Sequence, residues 1–403
     1  MKILFISISS LPHVSEHGIS LDLLHEFKRH GHDVFIICSL EKHDNKETYL
    51  AEEDGCRILR VKIGENKGAG ILRKGLTTLL FSKAYISAIK KNFADVKFDL
   101  VLYPTPPITH VNAVKYIKKR DEAKTYLLLK DIFPQNAVDI GMLKKTGIKG
   151  SIYKYFRTVE KELYAISDYI GCMSQANVDY VLKNNPDLKS EKVMICPNSI
   201  EVTDKSVDKG RKEEIRIKYS LPLSKTIFVY GGNLGKPQDI PFIIECLKKT
   251  YMIEEAYFLI VGDGTEYEKL ARYMESERPG NVKLMKRLPK EEYDDLIGAC
   301  DVGLIFLDHR FTIPNFPSRL LGYLQVKIPV LACTDRTTDI GEVIERNGFG
   351  WSCRSEDPAN FVKAITTILN TKTGDMGEKG YAFLSEQYSV ERAYGIIMDS
   401  LQI

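Results

Sequence analysis

The stretch TIFVYGGNLGKPQD, residues 226–239, decides the fold. Its first half is a short apolar run rich in β-branched and aromatic residues, which reads as a buried strand. Its second half packs Gly231, Gly232 and Gly235 around Asn233, followed by Lys236 and Gln238, and this is the composition of a turn. The run is a restart. Upstream, KILFISI, VFIIC, DLVLY (99–103), TYLLL (125–129), DYIGCM (168–173) and KVMIC (192–196) already alternate with helical stretches such as ISLDLLHEFKRHGHDV, where Gly31 is a plausible stop. Between the two series, Ile200 to Ser220 is charged and lacks apolar periodicity, as in a linker or peripheral helix. Downstream, YFLIVGDG (257–264), NVKLMK (281–286), DVGLIFL (301–307) and IPVLAC (328–333) continue the new series.

Alternation in two blocks predicts an α/β chain of two Rossmann-like parallel-sheet domains facing across a cleft. The expected boundaries are 1–200 and 201–387. A last helix, within about 388–403, would pack on either domain and in this reading returns to the first. Ligands of such sheets bind outside the carboxyl ends of the strands, so those loops are where function belongs.

The totals agree with this picture. A chain of 403 residues is too long for one ordinary core. No run reaches the roughly 18 apolar residues of a membrane span, and MKILFISISS reads as a first strand and not as a leader. The eight cysteines are scattered without ligand spacing, which suggests reduced thiols in a cytoplasmic chain. Net charge is only +3, yet Val61 to Glu160 holds 19 Lys/Arg against 8 Asp/Glu. A positive sector on a near-neutral chain predicts an anionic surface or ligand there. It lacks a recognisable nucleic-acid module or interleaved aromatic platform, so no nucleic-acid partner is expected.

Among the loops, SSLPHVSEHGIS follows the first strand without a GxGxxG. Gly18 would let backbone approach a phosphate closely. His13 and His17 either touch a substrate or are ordinary loop histidines. Asp131, just past TYLLL, either faces the cleft or caps a helix. The YGGNLGKPQD turn offers an anion-binding nest with Lys236 beside it, and VGDGTE repeats the geometry with Asp263 at a strand end. In FPSRLLGYL (316–324), Pro317 suits the first turn of a helix. Phe316 to Leu320 would present free amides, Ser318 a hydroxyl and Arg319 a fork-shaped cation, together a diphosphate site. Gly322 stands unexpectedly inside that helix, where glycine costs about 1 kcal/mol relative to alanine.

LLLKDIFPQNAVDIGML, ICPNS, YGGNLGKPQD, FLIVGDGTE, RLPKEEYDDLIGACDVGLIFL and PSRLLGYLQVKIPVLA, in this order, resemble a retaining glycosyltransferase of family 4 with the GT-B fold. The match runs nearly end to end and is most similar to the branch building bacterial capsule and O-antigen repeats with N-acetylated aminosugars. The resemblance implies an NDP-sugar donor, most readily UDP-linked. Its diphosphate would meet Gly232, Asn233, Lys236 and Gln238 and the residues Phe316, Pro317, Ser318, Arg319 and Leu320. Its base would stack near Arg287 and Leu288. The acceptor would enter from the first domain, near Gly18, His13, His17 and Asp131. Two departures stand out: Pro314 and Gly322 occupy the places of the family's paired glutamates, and Asn233 and Gln238 those of its phosphate-binding Arg and Lys.

Leaving-group stabilisation is then the main task, with Asp131, Lys236 and Arg319 as the catalytic set. No DxD motif lies at a strand end, so neither metal nor cofactor is expected. GILRKGLTTLLFSKAYISAIKK (70–91) either lies on an anionic membrane or packs on the core with a solvated face. Lys115, Lys118, Lys119, Arg120, Lys144, Lys145 and Lys149 favour the former. That predicts a peripheral protein of the inner leaflet with a polyprenyl-diphosphate-linked glycan acceptor. The alternatives are an inactive transferase-like partner subunit and an NDP-sugar epimerase of the same fold; oligomeric state is left open.

Overall fold

Parallel strands buried on both faces need continuous apolar runs, and each of the runs named above forms a strand. The computed structural model describes residues 1–40, 46–63 and 71–402, with the backbone alone for 71–80 and for 148–149. The chain divides into two units, Met1–Glu201 with Val390–Ile403, and Val202–Ser389.

The first unit holds β1 (Lys2–Ile6), β2 (Asp33–Ser39), β3 (Tyr49–Glu53), β4 (Cys56–Val61), β5 (Leu100–Thr105), β6 (Lys124–Leu129), β7 (Tyr169–Cys172) and β8 (Val193–Ile195). They form one sheet in the order β3-β4-β2-β1-β5-β6-β7-β8, parallel except for the β3–β4 hairpin at its edge. The helix Ile19–Arg29 packs Leu23, Leu24 and Phe27 into the core beneath β1 and β2. Val390–Leu401 adds Ala393, Ile397 and Leu401 to that same core, and Tyr394 stacks on His30 at 4.0 Å.

The basic helix predicted for 70–91 runs Ile71–Asn92. Gly70 and the side chains of 71–80, with Arg73, Lys74 and their leucines, lie outside the described residues, as does the Lys149 side chain. From Phe81 onward the helix is a core element: Tyr85, Ala88 and Ile89 are buried, and the Tyr85 phenol donates to the Ser7 carbonyl at 2.7 Å. Several cations of the positive sector are also spoken for. Lys115 pairs with Glu162, Lys118 with Asp168 at 2.8 Å, and Arg120 with Asp121 at 2.6 Å.

The second unit holds β9 (Thr226–Asn233), β10 (Ala256–Asp263), β11 (Val282–Met285), β12 (Val302–Phe306), β13 (Val330–Thr334) and β14 (Gly350–Arg354). All pair in parallel in the order β11-β10-β9-β12-β13-β14. This is the doubly wound 3-2-1-4-5-6 arrangement, with a topological switch point between β9 and β12. The charged 200–220 stretch contributes the helix Lys209–Lys218, whose Arg216 and Lys212 are pinned to Asp301 just before β12.

Candidate active site

At the switch point of the second sheet, β9 ends in the glycine turn. Register places Gly262 of β10 beside Gly232, and a Cβ on Gly262 would lie 1.9 Å from the Gly232 carbonyl oxygen. One on Gly264 would lie 2.4 Å from that of Leu234. VGDG therefore supports the turn from behind; it is not a second copy of it. Gly232 itself, at φ +125°, adopts backbone that side chains rarely enter. Gly232, Asn233 and Lys236 are exposed. Gln238 is not: it is buried, and its Oε1 accepts from the Gly235 N–H at 3.1 Å and the Asn233 amide at 3.3 Å. Its oxygen braces the turn from inside.

Arg319 lies against this turn. Its guanidinium carbon is 4.2 Å from the centre of the Tyr230 ring and 3.7 Å from where a Cβ on Gly232 would stand. Nη1 is buried without a hydrogen-bond partner, and among the described residues no carboxylate pairs with the group. Its neighbours are phenols. Burial pushes Tyr323 up to about 12 and raises Tyr230 and Tyr293 as well, so all three stay neutral beside the cation. Buried charges are normally paired. Here a charged guanidinium beside a glycine turn keeps one buried N–H donor, on Nη1, without a partner.

The short helix is seven residues long, Arg319–Gln325, and begins later than the sequence suggests. Pro317 stands before the cap and not in the first turn, because Ser318 is the N-cap; its hydroxyl caps nothing. The Leu320 N–H is not free, since it turns back to the Pro317 carbonyl at 3.3 Å. Phe316 packs its ring 5.9 Å from that of Tyr388. Gly322 is not forced by packing: a Cβ there would meet Ile297 at an ordinary 3.8 Å.

Asp263 is exposed at the end of β10, accepting from the Gly264 N–H at 2.8 Å with Lys286 at 3.9 Å. Arg287 and Leu288 follow the end of β11, the next strand along, with Arg287 exposed and Leu288 half-buried.

In the first unit, Asp131 follows β6. Burial pushes its carboxyl up to about 6, against hydrogen bonds from the Ile132 N–H at 2.8 Å and the Asn136 amide at 2.6 Å. Such a carboxyl is poised to exchange protons near neutrality. Neighbouring Lys130 is also enclosed, and burial lowers its ammonium to about 8. Gly18 does not offer a free amide: its N–H donates to Asp22 at 2.9 Å, and Asp22 also takes the Glu201 N–H at 3.0 Å. The Gly18 amide expected to meet the donor is thus taken up by that buried carboxylate, with Glu201 beside it. His17 sits 3.1 Å from Asp22 and 3.3 Å from Glu201, while His13 is exposed and bonded to Ser15 at 2.7 Å.

Two three-residue groups have metal-compatible spacing among the described residues, His17–Asp22–His25 and Asp239–Asp308–His309. Their carboxylates are already engaged, Asp22 by backbone N–H groups and buried Asp308 by Arg310 at 2.9 and 3.1 Å.

The phenol cage of Tyr230, Tyr293 and Tyr323 escapes sequence reading, because buried aromatics look like core. The available signal is the four-residue spacing of Arg319 and Tyr323, which puts both on one helix face.

Residues 211–383 match the family described as glycosyl transferases group 1. A Pseudomonas aeruginosa protein named as a glycosyltransferase, WbjE, is 24% identical over 79% of this chain and 78% of its own. An Escherichia coli (strain K12) protein named for colanic acid biosynthesis glycosyl transfer, WcaI, is 21% identical over 86% of each. Among solved structures, sucrose-phosphate synthase from Thermosynechococcus elongatus superposes with a TM-score of 0.76 at 14% identity, over 100% of this chain and 98% of that one. Anabaena HepE in complex with UDP-glucose gives 0.71 at 14% identity over 100% and 99%. The two Rossmann-like domains are those of the GT-B fold, and the chain is a glycosyltransferase.

Proposed function

We propose that this enzyme moves a sugar, an N-acetylated aminosugar in our reading, from a UDP-sugar to a lipid-linked glycan during synthesis of a surface polysaccharide. The observation that carries the donor assignment is half-buried Arg319, whose Nη1 has no hydrogen-bond partner, beside the exposed Gly232–Asn233 turn. UDP is favoured because HepE, of the same fold, is a complex with UDP-glucose. The polysaccharide context rests on the name of WcaI.

Negative charge grows on the diphosphate as the bond from the sugar's anomeric carbon to its oxygen breaks. Arg319, held in place before the donor arrives, and exposed Lys236 meet that charge, so leaving-group stabilisation needs no metal. An acceptor hydroxyl forms the new bond on the face the diphosphate leaves, with retention, and its proton passes to the departing phosphate. Asp131 orients that hydroxyl. Exposed Lys83, Lys91, Lys119 and Lys144 supply the remaining basic surface for an anionic inner leaflet.

A panel of UDP-, GDP-, ADP- and dTDP-sugars tests the donor by thermal stabilisation. Arg319→Ala should lower turnover by about a hundredfold or more; near-normal turnover at saturating donor refutes the assignment. Co-sedimentation with liposomes tests the membrane arm, which fails if anionic lipid makes no difference.

A further inference from the structure

β9 and β10 stay paired along their whole length, from Thr226 beside Ala256 to Asn233 beside Asp263. The other side of β9 behaves differently. β12 pairs with it at Val302–Phe228 and Gly303–Val229 only, although both strands continue past that point. The ladder stops after these two pairs, and one side chain takes over its work. The Tyr323 hydroxyl lies 3.2 Å from the Val229 carbonyl oxygen and 3.1 Å from that of Leu304, and it accepts the Gly231 N–H at 3.2 Å. A phenol has one proton and lone pairs to spare. It donates to one carbonyl or the other while accepting from the amide, and so bridges the two diverging strands.

The ring needs glycine beneath it: a Cβ on Gly303 would lie 2.4 Å from Tyr323 Cδ2. Tyr293 does the same over Gly231, where a Cβ would lie 1.8 Å from its hydroxyl. Tyr323 is fully buried and cannot touch a ligand. Arg319, one helical turn earlier on the same face, can.

We infer that Tyr323 is a positioning residue of the donor site: its hydroxyl spans the split between β9 and β12 and thereby sets the Arg319 guanidinium against the Gly231–Gly232 turn. The inference rests on the donor reading given above. Its mark is coupling. A residue that acts only through Arg319 has nothing left to contribute once that cation is gone.

The test is a double-mutant cycle on nucleotide affinity, measured by titration calorimetry with whichever of UDP, GDP, ADP and dTDP stabilises the protein most. Tyr323→Phe removes one oxygen and keeps the ring. It should weaken binding roughly tenfold, the scale of a misplaced charge-assisted bond. Arg319→Met should weaken binding more, and the double variant should bind no worse than Arg319→Met alone. If the two losses multiply, or if Tyr323→Phe binds as the parent does, the positioning role is wrong. If Arg319→Met itself binds normally, the donor reading fails instead. Should Tyr323→Phe not fold, Gly303→Ala displaces the ring with the hydroxyl retained, and the same non-additivity with Arg319→Met is expected.

Discussion

Replacing Arg319 by methionine should leave the empty protein at least as stable as before and remove most of its response to nucleotide. Methionine keeps a similar apolar stem and discards the charge. The loss in the free protein is the contact with the Tyr230 ring at 4.2 Å, about 2 kcal/mol for a desolvated cation–π pair. The relief is the burial of an ion whose Nη1 has no partner, and removing uncompensated buried charge is worth several kcal/mol. The terms nearly cancel or favour the variant. With ligand the comparison reverses. At a hundred times the dissociation constant a nucleotide adds about 2.7 kcal/mol. For a unit of this size that is a rise in Tm of roughly 5–10 °C. Deleting a hydrogen bond to a charged group costs about 1.5–3 kcal/mol, or roughly 10- to 150-fold in affinity. At the same ligand concentration the variant should rise by about 1–5 °C. Differential scanning fluorimetry with and without UDP reads both numbers. A variant that melts many degrees lower when empty and keeps the full nucleotide shift would show that Arg319 is a structural cation, and the argument would fall.

Asp131 makes a prediction about pH. Its carboxyl is raised to about 6 in the folded protein, so folding takes up a proton between the unfolded value and 6. The stability this confers is complete at low pH and is lost as pH climbs through 6. Asp131→Asn should therefore melt higher than the parent at pH 7–8 but not at pH 4, and turnover should lose the limb near pH 6 along with a hundredfold or more in rate; equal melting differences at both pH values would contradict this. Gly262→Ala should abolish nucleotide binding, since its Cβ would meet the Gly232 carbonyl, and normal calorimetric binding would show that the turn can shift. Gly322→Ala should raise stability by about 1 kcal/mol, because the helix has room for a methyl group there. If its denaturant midpoint falls or nucleotide binding weakens, the glycine serves a close approach that the packing does not reveal.

Eleven apolar runs read from the sequence became strands because parallel strands have no solvent face to alternate against. Of the three strands that escaped notice, β3 and β14 have one, and β4 carries a buried charge. β3, YLAEE, alternates half-buried and exposed residues at the sheet edge. β4, CRILRV, hides Arg60 in a pair with Glu53 at 2.9 Å and reads as a charged loop until its partner is known. β14 lies at the opposite sheet's edge and is mostly half-exposed. The site was legible to the same degree. Arg319 stood out through its proline and serine, whereas the engagement of Gly18, Gln238 and Leu320 depends on where neighbouring carboxylates, amides and carbonyls fall in space. No spacing rule conveys that.

The return of Val390–Leu401 to the core of the first unit also sets the order in which the molecule can be made. The second unit is one uninterrupted segment, Val202–Ser389, and can close its core as it leaves the ribosome. The first unit begins earlier but lacks Ala393, Ile397 and Leu401 until the whole second unit has been made. The half that is translated first is thus the half that finishes last, and while it waits the apolar surface around Phe27 needs protection.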